Sequence, residues 1–197
     1  VNNTFMGNGY SEFSYPKKRN SVSIIRIELE GYRTVNTKYY NGDTRESIAF
    51  SLVPDAFVLG TTPSGIVNKF FSIEVDPKYF KVNPNGSRET LDAWKLIHQI
   101  LLNYFDEIQT TDFNSGYIQT PWHYSKFPMS ERQIRDRVVI RDASNDQKVI
   151  FQIKISSEAA SARNAKHGEF DEIDRIIKDH APLIQELQTR IGKLTNL

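Results

Sequence analysis

Leu91-Asp92-Ala93-Trp94-Lys95-Leu96-Ile97-His98-Gln99-Ile100-Leu101-Leu102-Asn103-Tyr104-Phe105 is the stretch on which the fold turns. Leu91, Trp94, Ile97 or His98, Leu101 and Tyr104 or Phe105 recur every three or four residues, which predicts a helix over 91–105 with one apolar stripe. Thr90 stands where it can cap the N-terminus, and Asp92 complements the positive end of the helix dipole. Burying Trp94, Ile97 and Leu101 would contribute about 1.5–3 kcal/mol each, provided an apolar surface receives them.

The residues downstream supply such a surface. Ile108 to Asp112 and Gly116 to Trp122 read as short strands about Asn114-Ser115-Gly116, with Pro121 marking a strand edge or end. The stretch 123–133 reads as irregular. Arg137 to Asp142 and Lys148 to Ser156 form a hairpin through Ala143-Ser144-Asn145-Asp146. Its second arm puts Val149, Phe151, Ile153 and Ile155 on one face and Lys148, Gln152 and Lys154 on the other, so the sheet has a dry side and a wet side. The expected fold class is α+β: an antiparallel sheet packed on a long helix, helix-grip-like, with a C-terminal amphipathic helical segment.

That last segment is read from Phe170, Ile173, Ile177, His180, Ile184, Leu187, Ile191 and Leu194, a heptad-like seam opened by Glu169-Asp171-Glu172. Pro182 removes a backbone donor and is expected to split or kink the helix near His180. The seam has two uses: packing back on the sheet, or pairing with a partner helix.

Upstream of the helix the period is two. Val22, Ile24 or Ile25, Ile27 and Leu29 are expected on one face of a strand ending at Gly31, Thr34 to Tyr40 alternates more weakly, and Asn41-Gly42-Asp43 signals a turn. Ser47 to Val53 and Phe70 to Val75 read as further strands stopped by Pro54 and Asp76-Pro77. The expected organisation is a tether over 1–20, a β-rich subdomain over 21–86, a helix with two hairpins over 87–156, and a linker with C-terminal helices over 157–197.

Composition narrows the chemistry. The formal charge of +1 sets up no global field towards nucleic acid, and the basic clusters Lys17-Lys18-Arg19 and Arg132 to Arg141 are short or interleaved with Glu131, Asp136 and Asp142. No apolar run approaches the roughly 18 residues that cross a bilayer. With 39% hydrophobic and 25% charged residues the chain has the composition of an ordinary soluble domain. It has no cysteine, which removes disulfides, thiolate catalysis and Cys-based zinc sites. It opens on Val1 rather than Met, which predicts an upstream piece removed either by processing or by the choice of where the chain was cut, with export implied if that piece was a signal peptide.

No constellation of catalytic residues stands out. His98, His123, His167 and His180 form no His-Glu-x-x-His pair, and His167 with Asp171 would still lack a third metal ligand. Gly-x-Ser-x-Gly is absent, and Gly7-Asn8-Gly9 is not followed by a helix or a third glycine that could cradle a phosphate. The expected catalytic, cofactor and metal residues are therefore none. Trp122, His123, Tyr124 and Phe127 form an aromatic patch just after a strand, to be read as partner or ligand contact if exposed and as core if buried.

A Trp-bearing helix, then Asp112-Phe113-Asn114-Ser115-Gly116-Tyr117-Ile118-Gln119-Thr120-Pro121-Trp122, then Arg135-Asp136-Arg137-Val138 and its return strand follow one another in the chain. This order resembles the domains of accessory lipoproteins of the bacterial outer-membrane β-barrel assembly machinery (BamC type) and their helix-grip relatives. Gly116, Ile118, Thr120 and Trp122 stand where the family pattern puts them, Pro121 departs from it, and the likeness covers residues 92–156. It implies a non-enzymatic lipoprotein on the periplasmic side of the outer membrane, without cofactor, reaching the membrane through a lipid anchor upstream of Val1. Such a protein would act on a protein partner or the cell wall and would not bind nucleic acid. The other reading is a small-molecule or glycan binding module with a pocket between helix and sheet.

Overall fold

A computed structural model describes residues 18, 20–43, 45, 47–127, 130, 132–161 and 169–195. The tether expected over 1–20 lies almost wholly outside these residues, as does His167. The chain divides into two compact units, Val1–Leu59 and Gly60–Leu197.

In the first unit β1 (Val22–Ile27) and β2 (Val35–Tyr40) pair antiparallel, Val22 opposite Tyr40 and Ile27 opposite Val35. The inward side is Ser23, Ile25 and the half-buried Ile27, with Val22, Ile24 and Leu29 exposed, so only Ile25 and Ile27 of the expected apolar face turn inward. A strand whose two sides are both rich in β-branched residues does not declare its inner side by alternation. Gly42, at φ +93°, makes the turn after β2 that Asn41-Gly42-Asp43 signals. Ser47 to Val53 forms no strand: a single bridge joins Tyr32 to Pro54, and Phe50 and Val53 remain exposed. The short helix α1 (Ala56–Gly60) is capped by Asp55, whose Oδ1 accepts the Phe57 N–H at 2.9 Å.

The second unit is an α+β structure built on an antiparallel sheet. Its strands in chain order are β3 (Thr61–Pro63), β4 (Phe70–Val75), β5 (Lys81–Val82), β6 (Arg88–Glu89), β7 (Thr110–Asp112), β8 (Tyr117–Gln119), β9 (His123–Lys126), β10 (Arg132–Asp142), β11 (Ile150–Ser161), β12 (Asp171–Glu172), β13 (Arg175–Ile177) and β14 (Gly192–Thr195). The main sheet runs β14-β4-β11-β10-β8-β7, with β12 added to β11 and β9 to β10. The stretch 21–86 is therefore not one subdomain: Phe70–Val75 pairs with β11, Phe151 opposite Ile73. A strand of five apolar or small residues in six is buried on both sides in the middle of a sheet rather than in a peripheral meander.

Helix α2 (Leu91–Leu101) lies against the dry side. It buries Ala93, Trp94, Ile97, Ile100 and Leu101 in one core with Phe71, Ile73, Val138, Ile140, Phe151, Ile153 and Ile155. It has eleven residues rather than the expected fifteen, because the Asn103 and Tyr104 N–H groups bond three residues back and tighten the end into turns. Thr90 makes no side-chain cap.

The C-terminal segment is not one kinked helix. Asp171–Glu172 and Arg175–Ile177 are strands, Lys178–His180 is a single 3-10 turn, and only α3 (Pro182–Arg190) is α-helical. Pro182 starts that helix instead of breaking one, the position where a missing N–H costs nothing. Leu183, Leu187 and Ile191 are buried in the same core as α2, so the seam packs in cis. The Tyr104 hydroxyl donates to Glu186 Oε2 at 2.8 Å, tying the end of α2 to α3; burial and that carboxylate push the phenol up to about 12.

Candidate functional site

The register around β10 shows how the sheet displays its side chains. Gln119 lies opposite Val139 and His123 opposite Asp136, so three residues, 120–122, face two, 137–138. That is a β-bulge, and it changes which face each later side chain takes. Thr120 donates its N–H to the Val138 carbonyl at 3.0 Å, and its hydroxyl accepts the Val138 N–H at 2.9 Å in place of a backbone carbonyl. Pro121, which has no N–H to leave unpaired, occupies the bulge. An unbulged ladder continued from Gln119 and Val139 would set Trp122 opposite Asp136 and Tyr124 opposite Ile134, on the core side; with the bulge they lie over the wet face and His123 turns inward.

The four residues expected as one aromatic patch are thereby parted. Trp122 lies against the guanidinium groups of Arg135 and Arg137, each 4.3 Å from its ring centroid. Tyr124 is 50% exposed and meets Phe170 edge-on at 6.1 Å. Phe127 covers Gly60, where a Cβ would strike its ring. His123 faces His180 at 4.8 Å on the dry side. The strand β9, which carries His123 and Tyr124, occupies part of the stretch expected to be irregular.

On the wet face the basic residues of β10 alternate with its buried ones. Ile134, Asp136, Val138 and Ile140 are buried, while Arg135, Arg137 and Arg141 point outward. Arg135 is paired: its Nε and Nη2 both donate to Glu158 Oε2, at 2.8 and 2.6 Å, and its guanidinium lies 3.9 Å from the Phe170 ring. Arg141 donates to Gln152 Oε1 at 2.7 Å and lies 4.1 Å from the ring of Phe70, itself 44% exposed. Arg137 has neither ion pair nor hydrogen bond among the described residues, and its Nε is buried without a partner. An orphaned buried donor costs about 1–3 kcal/mol, which the Trp122 face offsets only in part.

Behind β10, beyond the end of α2, lies a buried polar cluster. Asp136 is 0% exposed; its Oδ2 accepts the Ile177 N–H at 2.9 Å and stands 3.4 Å from His180 Nδ1, while Oδ1 has no hydrogen-bond partner among the described residues. Phe105 packs on His180 at 4.7 Å. Among the described residues neither His123 nor His180 hydrogen-bonds a hydroxyl, so there an acid–imidazole pair is present without a nucleophile attached to it. His98 does bond one, Thr111 Oγ1 at 2.8 Å through Nε2, with Nδ1 at 2.9 Å from the Trp94 carbonyl; the pair ties the edge strand β7 to α2. No group of three His, Asp or Glu among the described residues is placed to hold a metal ion.

Burial, and then the neighbouring His180, lower the His123 pKa below its ordinary value of 6.5, against the weaker pull of Asp106, Asp136 and Asp179. The folded chain keeps this ring neutral to lower pH than the unfolded chain does, so its stability contribution is present above about 6.5 and lost as the pH falls through the lowered value. The urea midpoint should therefore fall between about pH 7.5 and about pH 5, and fall less in His123→Gln. An identical fall in both proteins would exclude His123 as a cause.

Space beneath α2 is taken by side chains. Trp94 is in ring contact with Phe113 at 5.6 Å and Phe151 at 6.1 Å, and Phe151, Ile97 and Ile100 are all buried. A polar surface cleft of about 540 Å³ lies elsewhere, between the 85–88 turn and the β10–β11 turn. Its groups are spent on the turns themselves: Arg88 donates to the Asn145 and Asp146 carbonyls at 2.7 and 2.6 Å, and Asn145 Oδ1 accepts the Gln147 and Lys148 N–H groups.

Among known proteins, no family model matches the chain, and no curated protein matches it at a significant level.

Proposed function

We propose that this chain is a non-enzymatic binding module of the bacterial cell envelope, helix-grip-like in arrangement, that engages another protein through the wet face of its sheet. The observation that carries the reading is the bulge at 120–122, which takes Trp122 and Tyr124 out of the core and sets them beside Arg135, Arg137 and Phe170. Tyr, Trp and Arg on a half-exposed face are the residue types that dominate protein interfaces. The side chains filling the space beneath Trp94 favour this surface over a pocket between helix and sheet. The envelope placement rests on the likeness of Gly116, Ile118, Thr120 and Trp122 to the lipoprotein pattern, and a lipid anchor upstream of Val1 follows from the same likeness.

The test places a photo-crosslinking residue at Tyr124 of the full chain in a host with an outer membrane, identifies the adduct, and measures its affinity with purified protein. Trp122→Ala should weaken binding about 30-fold or more, the size of an interface anchor lost. A crosslinker at Leu102, on the opposite side, serves as control. Adducts from Leu102 with none from Tyr124 would overturn the reading.

A further inference from the structure

We propose that Arg137 and Arg141 form a two-point receptor for carboxylates on an extended acidic segment of the partner protein. This rests on the docking face proposed above and names the chemistry of what docks there. Both side chains project from the wet face of β10, four residues apart, which separates them by about 13 Å along the strand. Val139 lies between them on the same face and is half-buried. The complementary ligand is therefore an extended segment with two acidic side chains about 13 Å apart and an apolar one between them.

Each arginine is held for this purpose rather than neutralised. Arg137 rests on Trp122 and Arg141 on Phe70, so the ring fixes one flat side of each guanidinium; with Arg137 Nε buried and Arg141 Nε given to Gln152, the two terminal nitrogens of each are the ones left for a forked contact with a carboxylate. Neither has a carboxylate within ion-pair distance among the described residues, whereas Arg135, between the same Trp122 and Phe170, is closed by Glu158 at 2.6 Å. Arg135 is the structural arginine of the ladder; Arg137 and Arg141 are the open ones. Charge complementarity thus favours an acidic ligand.

A nucleic-acid strand would also use arginines and rings, but it needs a continuous basic track. Here Glu158 and Glu172 stand beside the arginines, Lys154 is drawn to Glu172 at 3.5 Å, and the whole chain carries only +1. An acidic peptide with isolated charges fits such a mixed face.

The full chain is titrated with a short capped peptide bearing two glutamates separated by three residues, valine in the middle, and with the same peptide carrying glutamines. The glutamate peptide should bind at least about tenfold more tightly, and added salt should erode the difference. Arg137→Gln should reduce binding at least about tenfold and Arg137→Lys by less, since lysine keeps the charge but not the fork. Circular dichroism of each variant checks that it is folded. Equal binding of the two peptides, no binding of either, or tighter binding of a single-stranded oligonucleotide would each overturn the inference. The two proposals separate on the crosslinked partner: if Trp122→Ala weakens it and the double variant Arg137→Gln, Arg141→Gln does not, the docking face stands and the carboxylate receptor falls. If neither matters, both fall.

Discussion

Phe151→Ala is expected to lower the unfolding free energy by about 3–5 kcal/mol, read as a fall in urea midpoint at nearly constant slope. Phe151 is the second residue of β11, flanked by Ile73 of β4 and Asp142 of β10, and is almost completely buried. Its ring meets Trp94 of α2 at 6.1 Å. Alanine removes the transfer energy of the ring and leaves a void beneath the helix, which cannot settle because Ile97, Ile100 and Leu101 hold it against neighbouring strands. The control is Leu102→Ala, one residue past the helix and half exposed, which should change stability by no more than about 0.5 kcal/mol. A loss below about 1 kcal/mol at Phe151 would mean that α2 does not rest on β11.

Gly192→Ala should cost about 3 kcal/mol and loosen one edge of the sheet selectively. Gly192 pairs with Val75, and the Asp76 N–H bonds the Ile191 carbonyl at 2.8 Å, so the two backbones are in close approach there. A Cβ on residue 192 would meet the Glu74 carbonyl oxygen and lie 2.9 Å from the Asp76 nitrogen. These are backbone atoms and cannot swing aside; β14 must separate from β4 instead. Hydrogen exchange should show the amides of 192–195 losing protection before those of β10 and β11 do. Gly65→Ala, with open space about it, should be close to neutral. Equal behaviour of the two variants would contradict the pairing of β14.

Much of the second unit was legible because its residues obey one period at a time. Trp94, Ile97 and Leu101 announced α2, and Val149, Phe151, Ile153 and Ile155 announced the dry arm of the hairpin, which the structure buries as a set. The C-terminal segment misled for a physical reason. Phe170, Ile173 and Ile177 step at helical spacing, but β-branched residues at 173, 176 and 177 favour strands, and β11 and β3 offered them free edges at β12 and β13. β1 misled because both of its sides are apolar. Trp122, His123, Tyr124 and Phe127 stand together in the sequence but not in the fold, since a bulge is set by the pairing partner and has no signature of its own in 120–122 beyond a threonine and a proline. Asp136 and His180 could not be joined from sequence, being 44 residues apart and meeting only through the turn after β13.

The bulge also bears on how this surface can vary. Deleting Pro121 would leave two residues facing Arg137 and Val138, so a regular ladder could form with His123 still opposite Asp136 and with Trp122 and Tyr124 still on the wet face. Loss of the bulged residue would therefore keep the display, whereas a slip of β9 by one residue against β10 would turn it inside out, so the pairing of His123 with Asp136 matters more to this surface than the length of the segment before it.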